Sequence, residues 1–353
     1  MRPLKLLATA SISALAVIAL QAPGSTSSEA QAQAPARAPN IRMNIMPVTP
    51  GKAYWTDSNT NAGFVIGDTS VIVIDSSPNA TTAVEMIRKI REITDKPIKY
   101  MIQTHSDCDH INGAMSFPRD LQIIAHENND FEQRAILQLI TVEVDGGHGF
   151  QSPEWLPNRI VNGNRLDTTI DGVKVSLIHS APAHTSGDLA IYFPEHKLVF
   201  AGDLLMNNVE ATPGNYNRTM WFKYEKGGSI EGWLKSVDDL LKLDANVFVP
   251  GHGFTAFDKA KIRDLRDNLA AERKRVQEMA DAGRSLEEIK AAFRDHEAPP
   301  RGVRNPNAPP RESFPGGLDC PRGIQYQTFA WLEYHEWLKR KNSMNRQRPV
   351  QNR

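Results

Sequence analysis

Two hydrophobic periods alternate along this chain. "GFVIG" at 63–67 and "SVIVIDSS" at 70–77 are short β-branched runs separated by Asp68 and Thr69, a pattern that predicts a hairpin. Ala83, Met86, Ile87, Ile90 and Ile93 then fall at helical spacing. "IKYMIQT" reads as a buried strand that ends at His105, and "LQIIA" as another. "VKVSLIHSA", "LAIYF" and "KLVFAGD" give three more strands in quick succession. Ile230, Trp233, Leu234, Val237, Leu240 and Leu241 mark an amphipathic helix with Ser229 as its N-cap. "NVFVPGHG" closes this run with a strand and a turn. Residues 258–282 predict a long charged helix stopped by Gly283, and "SLEE" at Ser285 opens a short one through a capping box. Near the end, Trp331, Tyr334 and Leu338 share a helical face. That stripe is expected to pack on the domain, with a dimer contact as the alternative.

The first residues have a different character. Arg2 and Lys5 precede an apolar stretch at 6–20, and Ala-x-Ala cleavage sites follow at Ala32 and Ala34. The apolar run is shorter than the ~20 residues a spanning helix needs. The expected organisation is a signal peptide at 1–34, a disordered leader at 35–45, a catalytic domain at 46–297, an extended Pro/Gly-rich segment at 298–323, and a C-terminal helix and tail at 324–353. The expected address is secreted, in a bacterial periplasm, with no stable membrane anchor. Lys plus Arg and Asp plus Glu both number 41, so the net charge is zero and a nucleic-acid partner is not expected. Two cysteines, Cys108 and Cys320, exclude a disulfide scaffold. One bridge between them is open, although Cys108 lies inside the most chemically loaded stretch of the chain.

That stretch is "QTHSDCDHINGA", with His105, Asp107, Asp109 and His110 in six residues. Other metal-type residues also follow strands: His184 in "APAHTSGD", Asp203 in "LVFAGD", His252 in "PGHG". Each strand delivers its residue to a sheet edge, where loops on a rigid scaffold build sites. Glycines at 187, 202, 251 and 253 permit close backbone approach there.

"VIVIDSSP", "THSDCDHINGA", "APAHTSGDLAIYF", "LVFAGDLL" and "VPGHG", in this order, resemble the metallo-β-lactamase superfamily across about residues 54–293. The resemblance implies an α/β fold: a four-layer αββα sandwich of two mixed sheets with outer helices and metals at one edge. It implies that His105, residue 107 and His184 bind a first ion and that Asp109, His110 and His252 bind a second. Asp203 would bridge both, and Asp75 would support the loop from behind. Two divalent ions of this kind, zinc by the donor set, polarise a carbonyl or phosphoryl oxygen and lower the pKa of a bound water. Asp109 is the expected catalytic residue, orienting that water and passing a proton to the leaving group.

Position 107 departs from the family's usual histidine. A carboxylate there favours harder ions such as manganese or iron and makes the site a weaker Lewis acid. Two metal positions of unequal affinity are expected, the Asp107 side weaker; the alternative is that Asp107 ligates nothing and the enzyme works with one metal. Asp107→His is expected to tighten zinc binding and move the acidic limb of the pH–rate profile lower. Flavodiiron relatives carry a carboxylate at this place, but no flavin domain is recognisable, so their redox activity is not expected.

The expected partner is a small molecule, and the oligomeric state is open. The expected activity is hydrolysis of a small ester, lactone or cyclic amide, with β-lactams included. The alternative is a non-catalytic or redox metal-binding protein on a degenerate scaffold. His148 in the Gly-rich "DGGHGF", Trp155, Trp221 and Tyr224 are candidate substrate contacts, or else loop anchors. His126, His179, His196, His296 and His335 are expected to be structural or exposed.

Overall fold

Strand β4 (Val71–Ile74) shows how the sandwich is layered. Its side chains alternate: Ile72 and Ile74 point into one apolar cluster and Val71 and Val73 into another. All four are buried, as expected for a strand covered on both faces. The structure, a computed structural model, describes residues 43–58, 60–143, 153–207, 222–293 and 329–346, without the side chains of 136–143, 207 and 344–346.

One sheet has the order β1 (Asn44–Thr49), β2 (Ala53–Asp57), β3 (Gly63–Ile66), β4, β5 (Ile98–Ile102), β6 (Gln122–His126), β7 (Arg159–Val161). It is antiparallel from β1 to β4 and parallel from β4 to β7. The other has the order β12 (Val247–Gly253), β11 (Leu198–Asn207), β10 (Ala190–Phe193), β9 (Val173–Ile178), β8 (Arg165–Ile170). Only its β11–β12 pair is parallel. Trp55, Ile72, Ile74, Ile102 and Ile124 of the first sheet meet Val175, Leu177, Ile191, Phe193 and Phe200 of the second in the central core.

Helices close the two outer faces. Helix α1 (Ala80–Ile93) buries Ala83, Met86 and Ile90 against the first sheet, and Asn79 caps it by accepting from Thr82 N at 3.0 Å. A one-turn helix, α2 (Cys108–Ile111), follows β5, and α3 (Glu127–Glu143) follows β6. The second sheet is covered by α4 (Ile230–Lys242), α5 (Lys259–Asp281), α6 (Leu286–Ala292) and α7 (Phe329–Arg346). Ser229 caps α4 and Asp258 caps α5; Ser285 and Glu288 form the capping box of α6. The terminal stripe packs on the domain: Phe329, Ala330 and Leu332 are buried, with Trp331, Tyr334 and Trp337 half-buried beside them. Glu333 is fully buried between Arg273 and Arg340.

Several elements were not expected from the pattern. Strands β1, β2, β7 and β8 lack a clean apolar run, and β1 takes in Asn44 and Ile45, the end of the expected leader. Residues 127–143 form helix α3, which no apolar period marked. Among the described residues no helix is long and apolar enough to cross a membrane.

Candidate metal centre

Thr104 and His105 continue directly from β5, and Asp75 continues from β4. Asp75 adopts a left-handed backbone (φ 56°), which aspartate tolerates better than most residues. Its Oδ1 accepts from Thr104 N at 2.8 Å, and its Oδ2 accepts from Thr104 Oγ1 at 2.7 Å. The same Oδ2 accepts from His110 Nδ1 at 2.9 Å. That bond leaves His110 Nε2 as the free lone pair. Because the Thr104 hydroxyl donates to Asp75, it accepts from His105 Nδ1 at 2.9 Å, which leaves His105 Nε2 in the same state. His105 Nε2 is buried and has no hydrogen-bond partner among the described residues, the condition of an atom waiting for a cation.

The other ligands arrive from the second sheet. Asp203 lies within β11, next to Gly202. Gly202 has φ +52° and a Cβ there would meet the Thr104 side chain at 2.7 Å. A Cβ on Gly251 would meet Asp203 Oδ1 at 1.9 Å, so only glycine lets β12 pass the carboxylate. His252, in β12, is positioned by Asn61, whose Nδ2 donates to Pro250 O (2.9 Å) and Gly253 O (2.8 Å). His184 sits on the loop after β9, which Asp188 ties by accepting from His184 N at 2.8 Å and Thr185 Oγ1 at 2.7 Å.

These residues converge in two adjoining groups. His105, Asp107, His184 and Asp203 place ligand atoms within 4.8 Å of one another, and so do Asp109, His110 and His252. Asp203 faces both: its Oδ2 is 3.5 Å from His184 Nε2 of the first group and its Oδ1 is 3.2 Å from His110 Nε2 of the second. Asp109 Oδ2 is 3.2 Å from His252 Nε2. Imidazole and carboxylate donors with their outer nitrogens tied back fit a divalent ion. All seven residues named from sequence as candidate ligands are therefore together, with Asp75 behind them. Asp75→Ala should lower metal affinity by about 10–100-fold, measured by chelator competition.

The metal-free cluster is strongly polarised. Burial opposes protonation of His252, yet Asp203 and Asp109 outweigh it and push the imidazole up to about 10. Burial likewise opposes, and Asp203 and Asp75 overcome, in raising His110. Asp109 is lowered to about 2 despite burial, by His252 and His110. A raised His252 stabilises the fold below its unfolded value near 6.5, and that contribution is lost as pH rises toward 10. Metal-stripped protein should therefore melt at a lower temperature at pH 10 than at pH 7. Metal-loaded protein, whose His252 is already deprotonated, should lack that step.

Asp107 has company that the sequence did not announce. Lys223 Nζ contacts its Oδ2 and Lys226 Nζ lies 2.8 Å from its Oδ1. Burial would raise this carboxyl, but Lys226 and Lys223 hold it well below the usual range. Glu132 stands beside them, accepting from Ser106 Oγ and from Ser186 Oγ (2.6 Å), and burial pushes it up. Nothing in "WFKYEKGG" marks its lysines; the only available signal was Asp107 itself, a new buried charge that requires a partner.

The substrate contacts fare differently. Trp155 is buried with Tyr54, Phe64 and Ile123 in the core outside the first sheet, so it is structural. Tyr224 packs edge-to-face on Trp331 at 5.1 Å with Lys339 Nζ over its ring, so it anchors its loop to α7. His148 and Trp221 lie outside the described residues. His126 stacks on His179 at 4.0 Å, belongs to neither ligand group, and is pushed down to about 4 by burial and His179. Cys108, buried beside Asp107 and Asp109, is disulfide-bonded, a question the sequence left open. Cys320 is the one other cysteine of the sequence.

Comparison with known proteins agrees with the geometry. The profile of the Metallo-beta-lactamase superfamily matches residues 55–252. The alpha subunit of 2,4-dinitroanisole O-demethylase from Nocardioides sp. (strain JS1661) is 31% identical over 189 residues, 53% of this chain and 50% of that protein. Linear primary-alkylsulfatase from Pseudomonas sp. (strain ATCC 19151) is 23% identical, covering 57% and 43%. The chain thus spans about half the length of these curated relatives. Hydroxyacylglutathione hydrolase GloC of Haemophilus influenzae is 26% identical over 60% of this chain and 91% of its own. Among solved structures, the inverting sec-alkylsulfatase Pisa1 from Pseudomonas sp. superposes with a TM-score of 0.57 at 19% identity, covering 84% of this chain and 50% of that one. That likeness shows the shared fold.

Proposed function

The chain belongs to the metallo-beta-lactamase superfamily, and on that premise we propose that it is a hydrolase of a small ester, lactone or cyclic amide, working outside the cytoplasm. The observation that carries this reading is the pair of adjoining ligand groups at one end of the sandwich. A bound divalent ion supplies Lewis acidity and an acidified water. The chain's residues do the rest. Asp109, half-buried and 3.2 Å from His252, accepts a hydrogen bond from the attacking water, orients it and then passes the proton to the leaving group. His105 and His110 are locked in one tautomer by Thr104 and Asp75, so their Nε2 atoms stay available. Zinc suits the imidazoles; the carboxylate share of the donors leaves room for manganese or iron. Asp107, crowded by lysines, makes its group the weaker of the two.

The disulfide at Cys108 supports an oxidising compartment, in keeping with the signal-like N-terminus. The relatives' names extend the substrate panel to an aryl ether, an alkyl sulfate and a hydroxyacylglutathione. The test is turnover of nitrocefin, chromogenic esters, lactones and these three, before and after chelation. Metal-restored turnover of at least one is expected. Tight metal binding with no turnover across the panel would favour the binding-protein reading instead.

A further inference from the structure

We propose that Lys223 and Lys226 are the resident cations of the first ligand group, so that the protein works with a single divalent ion held by Asp109, His110, His252 and Asp203. The inference rests on the metal-dependent reading above and concerns how many ions that reading requires. Both oxygens of Asp107 are occupied. Oδ2 is the oxygen that faces the group, 3.0 Å from His184 Nε2 and 3.7 Å from His105 Nε2, and it is the one Lys223 contacts. Lys226 takes Oδ1 and also donates to Ser106 Oγ at 2.9 Å. A divalent ion on Oδ2 would have to sit against an ammonium on the same atom, in a poorly screened interior.

The lysines are built in. Their side chains are only 6% and 11% exposed. Lys223 N donates to His184 O at 2.9 Å, and Gly228 N donates to Lys223 O at 2.8 Å. A Cβ on Gly228 would meet His184 O at 2.6 Å, so the lysine loop lies directly on the histidine loop. Tyr224, between the lysines, is clamped by Trp331 of α7.

Charge points the same way. Lys223 and Lys226 are matched by Asp107 and Glu132 without any metal. Asp109 of the second group and Asp203, which faces both, carry two negative charges. Among the described residues neither has a lysine or arginine within ion-pair distance. One divalent ion completes that group and leaves no deficit for another. The first group's contribution to the cleft is then a fixed monovalent ammonium.

The test is zinc binding to the stripped full-length protein, by titration calorimetry and elemental analysis. Wild type should take one tight equivalent, with any second at least 100-fold weaker. In Lys223→Met/Lys226→Met the second equivalent should tighten at least 100-fold, and in Lys223→Met alone, which guards against misfolding of the double variant, at least 10-fold. Asp107→Asn should keep the first equivalent within a few-fold. Two equivalents of similar affinity in wild type, or no tightening in the Lys223→Met protein, would overturn the proposal. Absence of any tight ion would overturn the metal-dependent reading as well, and neither outcome depends on turnover.

Discussion

Asp107→Ala should destabilise the protein by about 3–5 kcal/mol, the usual cost of stripping one partner from a buried ion pair. Here the change strands two ammonium groups, both largely buried on a loop stitched to His184. Urea denaturation against wild type measures it. Replacing Asp107, Lys223 and Lys226 together by Asn, Met and Met should recover most of the loss, because no charge is then left unpaired. A loss below about 1 kcal/mol in Asp107→Ala would mean that the lysines are solvated and the pairs weak. The lysines also revise the expectation for Asp107→His. An imidazole between two ammonium groups does not restore a metal site, so tighter zinc is expected only when the lysines are removed with it.

Asp109→Ala should behave in the opposite way, keeping the fold and losing the chemistry. Asp109 is half-buried on the one-turn helix α2, and its partner across the site is His252. Loss of a positioned proton-transfer group costs about 10²–10⁴-fold in rate. The expected result is a fall of that order in kcat at saturating metal, with the metal-free fold retained and the ion held more weakly because Asp109 is also one of its ligands. His110→Ala, His184→Ala and His252→Ala should also lose hydrolysis. Full activity in Asp109→Ala would remove it from the mechanism.

Much of this was legible because strand and site share one signal. A β-branched run followed by His or Asp predicts both an element and the place where its last residue lands, as β5 with His105 and β11 with Asp203 show. The helices with periodic apolar faces and side-chain caps, α1, α4 and α6, were equally readable. Strand β8 was not, because its exposed face alternates with Leu166 and Ile170 too sparsely to form a run. For Trp155 and Tyr224 the sequence left substrate contact and loop anchor open, because an aromatic near a cleft in sequence is silent about which element it packs on. Lys223 and Lys226 lie more than 110 residues from Asp107, and only the fold brings them to it.

The most direct test of the metal-dependent hydrolase is a titration of metal-stripped protein in which bound metal and turnover of its best panel substrate are followed together. Turnover should be absent at the start, rise in proportion to occupancy and level off at one equivalent. Turnover by the stripped protein, or a filled site with none, would contradict it.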